Sequence, residues 1–264
     1  MKERTKAYMA GLMDAEGCFT LIKSKRPWGV NYQDRMSLVN TFLPLRKWVI
    51  KHFGGSARIR IQRIGTRPRF DWKPTSHKHA SSFISCIHPY LRIKQREAGI
   101  LKEFYALAGE HSPDKRELLT VRIWELKNRD SVTTDMSRFE KDNLENAYLA
   151  GFFDGEGCIA GDESHSLRLF LTNTDYNSLV RVHQAYGGTI RKLKRRKNWS
   201  QCWTWELGQQ CQIEKVLLKI LPYLIVKRDQ GKVALEITRL WHNRNCDLRK
   251  RLFTRLSLLK HDTV

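Results

Sequence analysis

No stretch of the 264-residue sequence approaches the roughly 18 to 20 consecutive apolar residues that a membrane span requires. The opening MKERTKAYMAGLMDAEG turns acidic where a signal peptide would stay apolar. A soluble, intracellular, non-secreted protein is therefore expected, with nothing to separate a bacterial cytoplasm from an organelle. Paired cysteines are missing as well. Cys18, Cys86, Cys158, Cys202, Cys211 and Cys246 include no CxxC, which argues against a zinc ribbon and a disulfide framework and leaves reduced, buried thiols. Acidic residues are scarce: 27 Asp and Glu against 48 Lys and Arg give a net charge of +21, which points to a polyanionic partner. Disorder is excluded by a hydrophobic fraction of 41% and an aromatic fraction of 10%. The length suffices for one large domain or two compact ones.

The charge is not evenly spread. Residues 1–111 carry 21 basic and 8 acidic side chains, 112–142 carry 7 and 7, and 143–264 carry 20 and 12. Two basic bodies are thus joined by a neutral connector. They are also copies of one another. AYMAGLMDAEGCF at 7–19 and AYLAGFFDGEGCI at 147–159 share eight of thirteen positions at an offset of 140. Beyond them, Asn40-Thr41 matches Asn173-Thr174, Phe53-Gly54-Gly55 matches Tyr186-Gly187-Gly188, and Phe70-x-Trp72 matches Trp203-x-Trp205. Pro89-Tyr90-Leu91-x-x-Lys94 likewise matches Pro222-Tyr223-Leu224-x-x-Lys227, and all four pairs stand at an offset of 133. The seven-residue excess of the first copy belongs near the turn Arg26-Pro27-Trp28-Gly29. Two long copies read as a duplicated domain with internal pseudo-twofold symmetry, residues 1–111 and 143–264, with 112–142 between them.

Each copy shows the same periodicities. Leu167, Leu169 and Leu171 alternate with polar residues, as do Trp203, Trp205 and Leu207; in the first copy Ile59 and Ile61, then Phe70 and Trp72, do the same. One face of each sheet is thereby apolar and the other polar and often cationic. Amphipathic runs at 45–53 and 179–186 end in Gly-Gly, a helix stop, and 95–107 and 230–241 read as further helices. Antiparallel strands covered on one face by helices make an α+β fold. Residues 118–127 of the connector are expected to form a helix docked on the second copy.

Ala7, Gly11 and Ala15 recur every fourth residue, as do Ala147, Gly151 and Gly155, so each set occupies one helix face. Glycine costs a helix roughly 1 kcal/mol relative to alanine. A small-residue stripe on two apolar helices is best explained by their direct packing on each other. Such a crossing brings Glu16 and Glu156 to the same end. Two carboxylates forced together repel unless protons or cations neutralise them, and hard oxygen ligands suit Mg²⁺. A carboxylate pair between two basic sheets suggests metal-assisted phosphodiester hydrolysis. Asp14 and Asp154, two residues earlier, are read as structural caps rather than ligands.

The segments MAGLMDAEG (9–17) and LAGFFDGEG (149–157) resemble the signature of the LAGLIDADG homing endonucleases in their single-chain, two-repeat form. With the Asn-Thr, Gly-Gly and Pro-Tyr-Leu-x-x-Lys elements, the resemblance covers nearly the whole chain. It implies two αββαββα units packed through their motif helices, each presenting a saddle-shaped antiparallel sheet to DNA. It implies that Glu16 and Glu156 hold divalent metal, with the backbone carbonyls of Ala15 and Gly155 as further ligands. Asn40 and Asn173 match the position that orients active-site water, and Lys94 and Lys227 the basic residue that stabilises charge near the cleaved bond. The cofactor implied is Mg²⁺, with Mn²⁺ as a substitute and Ca²⁺ supporting binding without cleavage. The activity implied is a double-strand break with short 3′ overhangs by a monomer, promoting mobility of the host intron.

The DNA-binding candidates of the first copy are Lys23, Lys25, Arg26 and Arg35 on the first hairpin, and Arg58, Arg60, Arg63, Arg67, Arg69, Asp71 and Lys73 on the second. In the second copy they are Arg168, Arg191, Lys192, Lys194, Arg195, Arg196 and Lys197. Arginine forks suit guanine edges and lysines more often meet phosphates. Unlike halves should read an asymmetric duplex of about two turns, near 20 bp. The alternatives are a maturase acting on intron RNA and a DNA-binding regulator without cleavage; both acidic positions being intact argues against the second.

Overall fold

The computed structural model describes residues 1–27, 29–61, 66–110, 112–128, 135–137, 139, 141–161, 167–194, 200–240 and 246–261. The first repeat opens with α1 (Glu3–Glu16), which runs directly into β1 (Gly17–Arg26) and β2 (Gly29–Asn40). Then come α2 (Leu43–Phe53), β3 (Ser56–Arg60), β4 (Arg69–Lys73), α3 (His77–Ile87), α4 (Gln95–Ala106) and α5 (Pro113–Asn128). The second repeat follows the same order with α6 (Asp142–Glu156), β5 (Gly157–Ala160), β6 (Arg168–Asn173), α7 (Tyr176–Tyr186), β7 (Thr189–Leu193) and β8 (Cys202–Leu207). It closes with α8 (Gln210–Ile220), α9 (Arg228–Arg239) and α10 (Cys246–His261). Among the described residues no helix is long and apolar enough to cross a membrane.

Each repeat builds one antiparallel four-stranded sheet, in the orders β1-β2-β4-β3 and β5-β6-β8-β7. The alternation in sequence sets the faces. Phe19, Leu21, Met36, Leu38, Phe70 and Trp72 are buried under helices in the first sheet, and Ile159, Leu169, Leu171, Trp205 and Leu207 in the second. The Gly-Gly stops follow α2 and α7, with positive φ at all four glycines, 67° and 88° at Gly54 and Gly55 and 72° and 90° at Gly187 and Gly188. Side chains strain in that region, which is why glycine stands there twice in both copies.

Two expectations fail at the edges. Ile59 shares the inner face with Phe70, its partner across the strands, but β3 is an edge strand beyond the helical cover, so Ile59 is 49% exposed and Ile61, past the strand end, 70%. The cysteines are not all buried either: Cys158 is exposed and Cys18 half-buried, because β5 and β1 turn both to the outer face.

The connector helix belongs elsewhere than expected. α5 docks on the first sheet and on α4, not on the second copy: Glu117 accepts hydrogen bonds from Lys23 Nζ at 2.8 Å and Tyr32 Oη at 2.5 Å, and Arg122 pairs with Glu103. It is the counterpart of α10 at the same offset of 133, with Leu119 and Ile123 buried where α10 buries Leu252 and Leu256. A neutral charge balance could not reveal this. Docking is decided by which helix face finds an uncovered stretch of hairpin.

Candidate active site

α1 and α6 cross along their small residues. A Cβ built on Gly11 would lie 2.0 Å from the carbonyl oxygen of Tyr148, and one on Gly151 would lie 2.0 Å from that of Tyr8. One on Gly155 would lie 2.3 Å from the Cβ of Ala15, so the stripe has room for a single alanine at this level. The crossing leaves the C-terminal ends of both helices side by side, with Glu16 and Glu156 as their last residues.

Desolvation raises the pKa of Glu156 to about 7, reinforced by the nearby Glu16 carboxylate and opposed by Lys94 and Lys227. Glu16 is shifted upward as well, chiefly by desolvation, against the pull of Lys227 and Lys94. Burial conversely lowers both lysines. The helix C-termini add negative carbonyl ends to the same corner. This donor set is short of positive charge. Among the described residues no group of three or more His, Cys, Asp or Glu could enclose a metal ion. Two carboxylates and adjoining carbonyls would fit a hard divalent cation, for which oxygen is the preferred donor.

Lys94 and Lys227 are fixed by an arrangement that sequence reading missed in part. Asp14 is buried and accepts bonds from the backbone N–H groups of Arg92, Ile93 and Lys94 at 2.8, 3.1 and 2.8 Å, and from Tyr148 Oη at 2.8 Å. Asp154 does the same with Ile225, Val226 and Lys227 at 2.7, 3.0 and 2.8 Å, and with Tyr8 Oη at 2.7 Å. The structural cap expected of these aspartates is therefore what they are: each holds the turn that starts α4 or α9. Each also ties its own repeat to a tyrosine of the other. The signal for Tyr8 and Tyr148 was present, since both lie in the matching Ala-Tyr pairs. From its turn, Lys94 Nζ reaches the carbonyls of Met13 at 3.0 Å, Gly17 at 2.8 Å and Ala15 at 3.5 Å; Lys227 Nζ reaches that of Asp154.

The asparagines end β2 and β6. Asn173 donates to Glu156 Oε1 at 3.2 Å and accepts from the Asp175 N–H at 2.8 Å; Asn40 accepts from the Phe42 N–H at 2.8 Å. A cleft of about 890 Å³ opens beside Asn173, lined also by Lys94, Glu156 and Trp203, and by Glu97 and Lys127, two residues that the sequence had not singled out.

Strand register sorts the basic residues by face. On the outer, helix-free face lie Arg26, Arg35, Arg58, Arg60, Arg69, Asp71 and Lys73 in the first sheet, and Arg168 and Arg191 in the second. Lys23 and Lys25 do not: they alternate with that face and share the side of Phe19, where Lys23 is bound to Glu117. Lys192 likewise falls on the side of Ile190 and Trp203, and Lys194 just past the end of β7. Arg67 donates to the Lys260 carbonyl at the end of α10, 3.4 Å away. Arg63, Arg195, Arg196 and Lys197 lie outside the described residues.

A pH dependence follows from the carboxylate pair. Glu156 binds its proton more tightly in the folded protein than in the unfolded chain, so its contribution favours folding at low pH and is lost as pH rises from about 4.5 to about 7. In the metal-free protein, wild type and Glu156→Gln should melt alike near pH 4.5, with wild type the less stable by pH 8. A divalent cation should remove that difference. Melting curves in chelator and in Mg²⁺ measure it, and a wild type more stable than the variant at pH 8 in chelator would contradict the pairing.

No protein-family model matches the sequence. The DNA endonuclease I-CvuI of Chlorella vulgaris is 34% identical over 110 residues, 36% of this chain and 65% of that protein, so the match spans just under two thirds of the relative. The fold is that of the LAGLIDADG homing endonuclease I-GzeII in complex with a DNA target, at a TM-score of 0.71 and 15% identity, covering 97% of both chains. I-SmaMI bound to an uncleaved DNA target in the presence of calcium ions gives 0.70 at 19% identity, again over 97% of each chain. The two-unit architecture is that of these solved LAGLIDADG homing endonucleases, and part of the chain is similar in sequence to the Chlorella endonuclease.

Proposed function

We propose that the protein is a site-specific DNA endonuclease that makes a divalent-metal-dependent double-strand break with short 3′ overhangs and so promotes mobility of its host intron. The observation that carries this is the meeting of one carboxylate from each repeat, Glu16 and Glu156, at the end of the α1–α6 crossing between two sheets with cationic outer faces. The names of the relatives point the same way: a DNA endonuclease in Chlorella, and neighbours held on DNA targets. The substrate is duplex DNA, which the net charge of +21 favours. Unlike outer faces make it an asymmetric duplex of about two helical turns.

In this reading Glu16 and Glu156, with the Ala15 and Gly155 carbonyls, hold Mg²⁺. When bound, the metal neutralises the carboxylates and polarises the scissile phosphates. Asn173, already bonded to Glu156, and Asn40 in the matching position orient water. Lys94 and Lys227, pressed against the ends of the motif helices, stabilise charge building on the phosphoryl oxygens. The repeats are 1–128 and 142–264, joined by 129–141, since α5 pairs in position with α10.

Purified protein incubated with duplexes tiled across the intron-free form of its locus should cut one site in Mg²⁺, bind without cutting in Ca²⁺, and do neither efficiently in chelator. End mapping should give 3′ overhangs of a few nucleotides. Tight binding with no cleavage in Mg²⁺ or Mn²⁺ would overturn the enzymatic reading.

A further inference from the structure

The outer face of the second sheet holds one half-buried construction, where the first sheet has a looser and more exposed pair, Arg60 with Asp71 at 3.4 Å. Glu206, on β8, is only 10% exposed at its side chain although it faces away from the helices. Its two carboxylate oxygens are divided between two arginines from the flanking strands. Arg168 Nη1 of β6 bonds Oε1, and Arg191 Nη2 of β7 lies 3.2 Å from Oε2. The register explains the convergence: Glu206 stands opposite Phe170 on one side and Thr189 on the other, so each arginine reaches it from a diagonal position. The guanidinium groups themselves stay open, with side chains 42% and 64% exposed. At the matching position of the first repeat the residue is Lys73, of opposite charge.

Desolvating a carboxylate on a cationic surface is costly, and the two arginines offset that cost. Such a site spends charge to fix geometry. Each guanidinium has five N–H donors; Glu206 occupies one edge and leaves another facing outward. That free edge matches O6 and N7 of guanine in the major groove, the arrangement in which arginine distinguishes bases best. A flexible arginine would have to lose its rotamer freedom on binding, whereas one already tethered to a buried carboxylate has lost much of it. Glu206, with both oxygens engaged, is not free to accept from cytosine N4.

We propose that Glu206 is a positioning residue for base readout, holding Arg168 and Arg191 as two preset guanine readers in the half-site under the second sheet. The inference rests on the endonuclease reading above and adds to it a specific content. Both guanidinium groups converge on the one Glu206 carboxylate, so the two readers reach bases within about three base pairs of one another.

Selection of bound duplexes from a randomised pool, in Ca²⁺ and followed by sequencing, tests this. Wild type should enrich guanine at two positions no more than about three base pairs apart in one half-site. Glu206→Gln keeps the volume but gives one carbonyl acceptor and an NH₂ that opposes the other arginine. It should reduce guanine enrichment at both positions by about tenfold, leaving the preferences of the other half-site and the salt dependence unchanged. Arg191→Lys, at an exposed side chain that keeps its charge, should flatten one of the two positions only. Retention of both guanine preferences by Glu206→Gln would overturn the assignment while the DNA reading stood. Equal flattening at every position would also overturn it, as loss of the sheet rather than of the readers. A wild type that enriches no sequence would sink the endonuclease reading and this inference with it.

Discussion

Glu16→Gln and Glu156→Gln should each lower double-strand cleavage by roughly a thousandfold or more, with duplex binding nearly intact. The size follows from what a carboxylate pair does for a divalent cation: metal stabilisation of a phosphoryl transition state amounts to several kcal/mol, and each 1.36 kcal/mol is tenfold in rate. In the proposed reading each substitution removes one anionic ligand and leaves the second unable to hold the cation. Binding survives because the carboxylates add repulsion, not attraction, to a polyanion. Neither variant should unfold the protein. The Glu156 carboxyl is held near pKa 7 partly by Glu16, so removing that neighbour relieves an unfavourable contact. A melting temperature equal to or above that of wild type at pH 8 in chelator, together with lost cleavage in Mg²⁺, separates loss of chemistry from loss of fold. Full cleavage by either variant would refute the paired site.

Gly11→Ala and Gly151→Val should be far more damaging to the fold than any change at the catalytic corner. The added Cβ would fall 2.0 Å from a backbone carbonyl oxygen of the facing helix and 2.9 Å from a backbone nitrogen one turn further along it. Neither neighbour is a flexible side chain that can step aside. The helices must separate, and the bonds from Tyr8 to Asp154 and from Tyr148 to Asp14 separate with them. Overpacking costs about 1–3 kcal/mol, and loss of two buried bonds to charged acceptors about 3–6 kcal/mol more. We expect a melting temperature lower by on the order of 10 °C for Gly11→Ala and no soluble folded protein for Gly151→Val. Gly208→Ala is the control, because a Cβ there meets nothing within 4 Å. If Gly11→Ala melted like Gly208→Ala, the direct helix contact would be wrong.

These two effects rest on residues that the sequence displays openly. The fourfold spacing of Ala7, Gly11 and Ala15 and its copy state the helix contact, and the glutamates after each stripe state the carboxylate pair. The Gly-Gly stops, the alternating Trp and Phe strands and the Pro-Tyr-Leu-x-x-Lys turns place elements that recur at one offset through to α5 and α10. What was misjudged had a common cause. Lys23 and Lys192 read as surface cations on a basic strand, but a strand has two sides, and one residue of register turns each toward the helices. Ile59 has the right face and the wrong neighbours, because it lies on an edge strand with a partner on one side only. Glu206 looked like one more polar residue between Trp205 and Leu207 until β6 and β7 were laid beside it.

The sequence by itself determined the duplication, the α+β class, the helix crossing and the two carboxylates, since repeats and periodicities are properties of one segment or of two compared. Tertiary structure alone decided where α5 docks, which basic residues share the outer face, and how Asp14 and Asp154 secure the lysine turns. Those depend on contacts between groups tens of residues apart, 80 from Asp14 to Lys94 and 94 from Lys23 to Glu117, where strand register and helix docking choose partners that spacing along the chain does not specify.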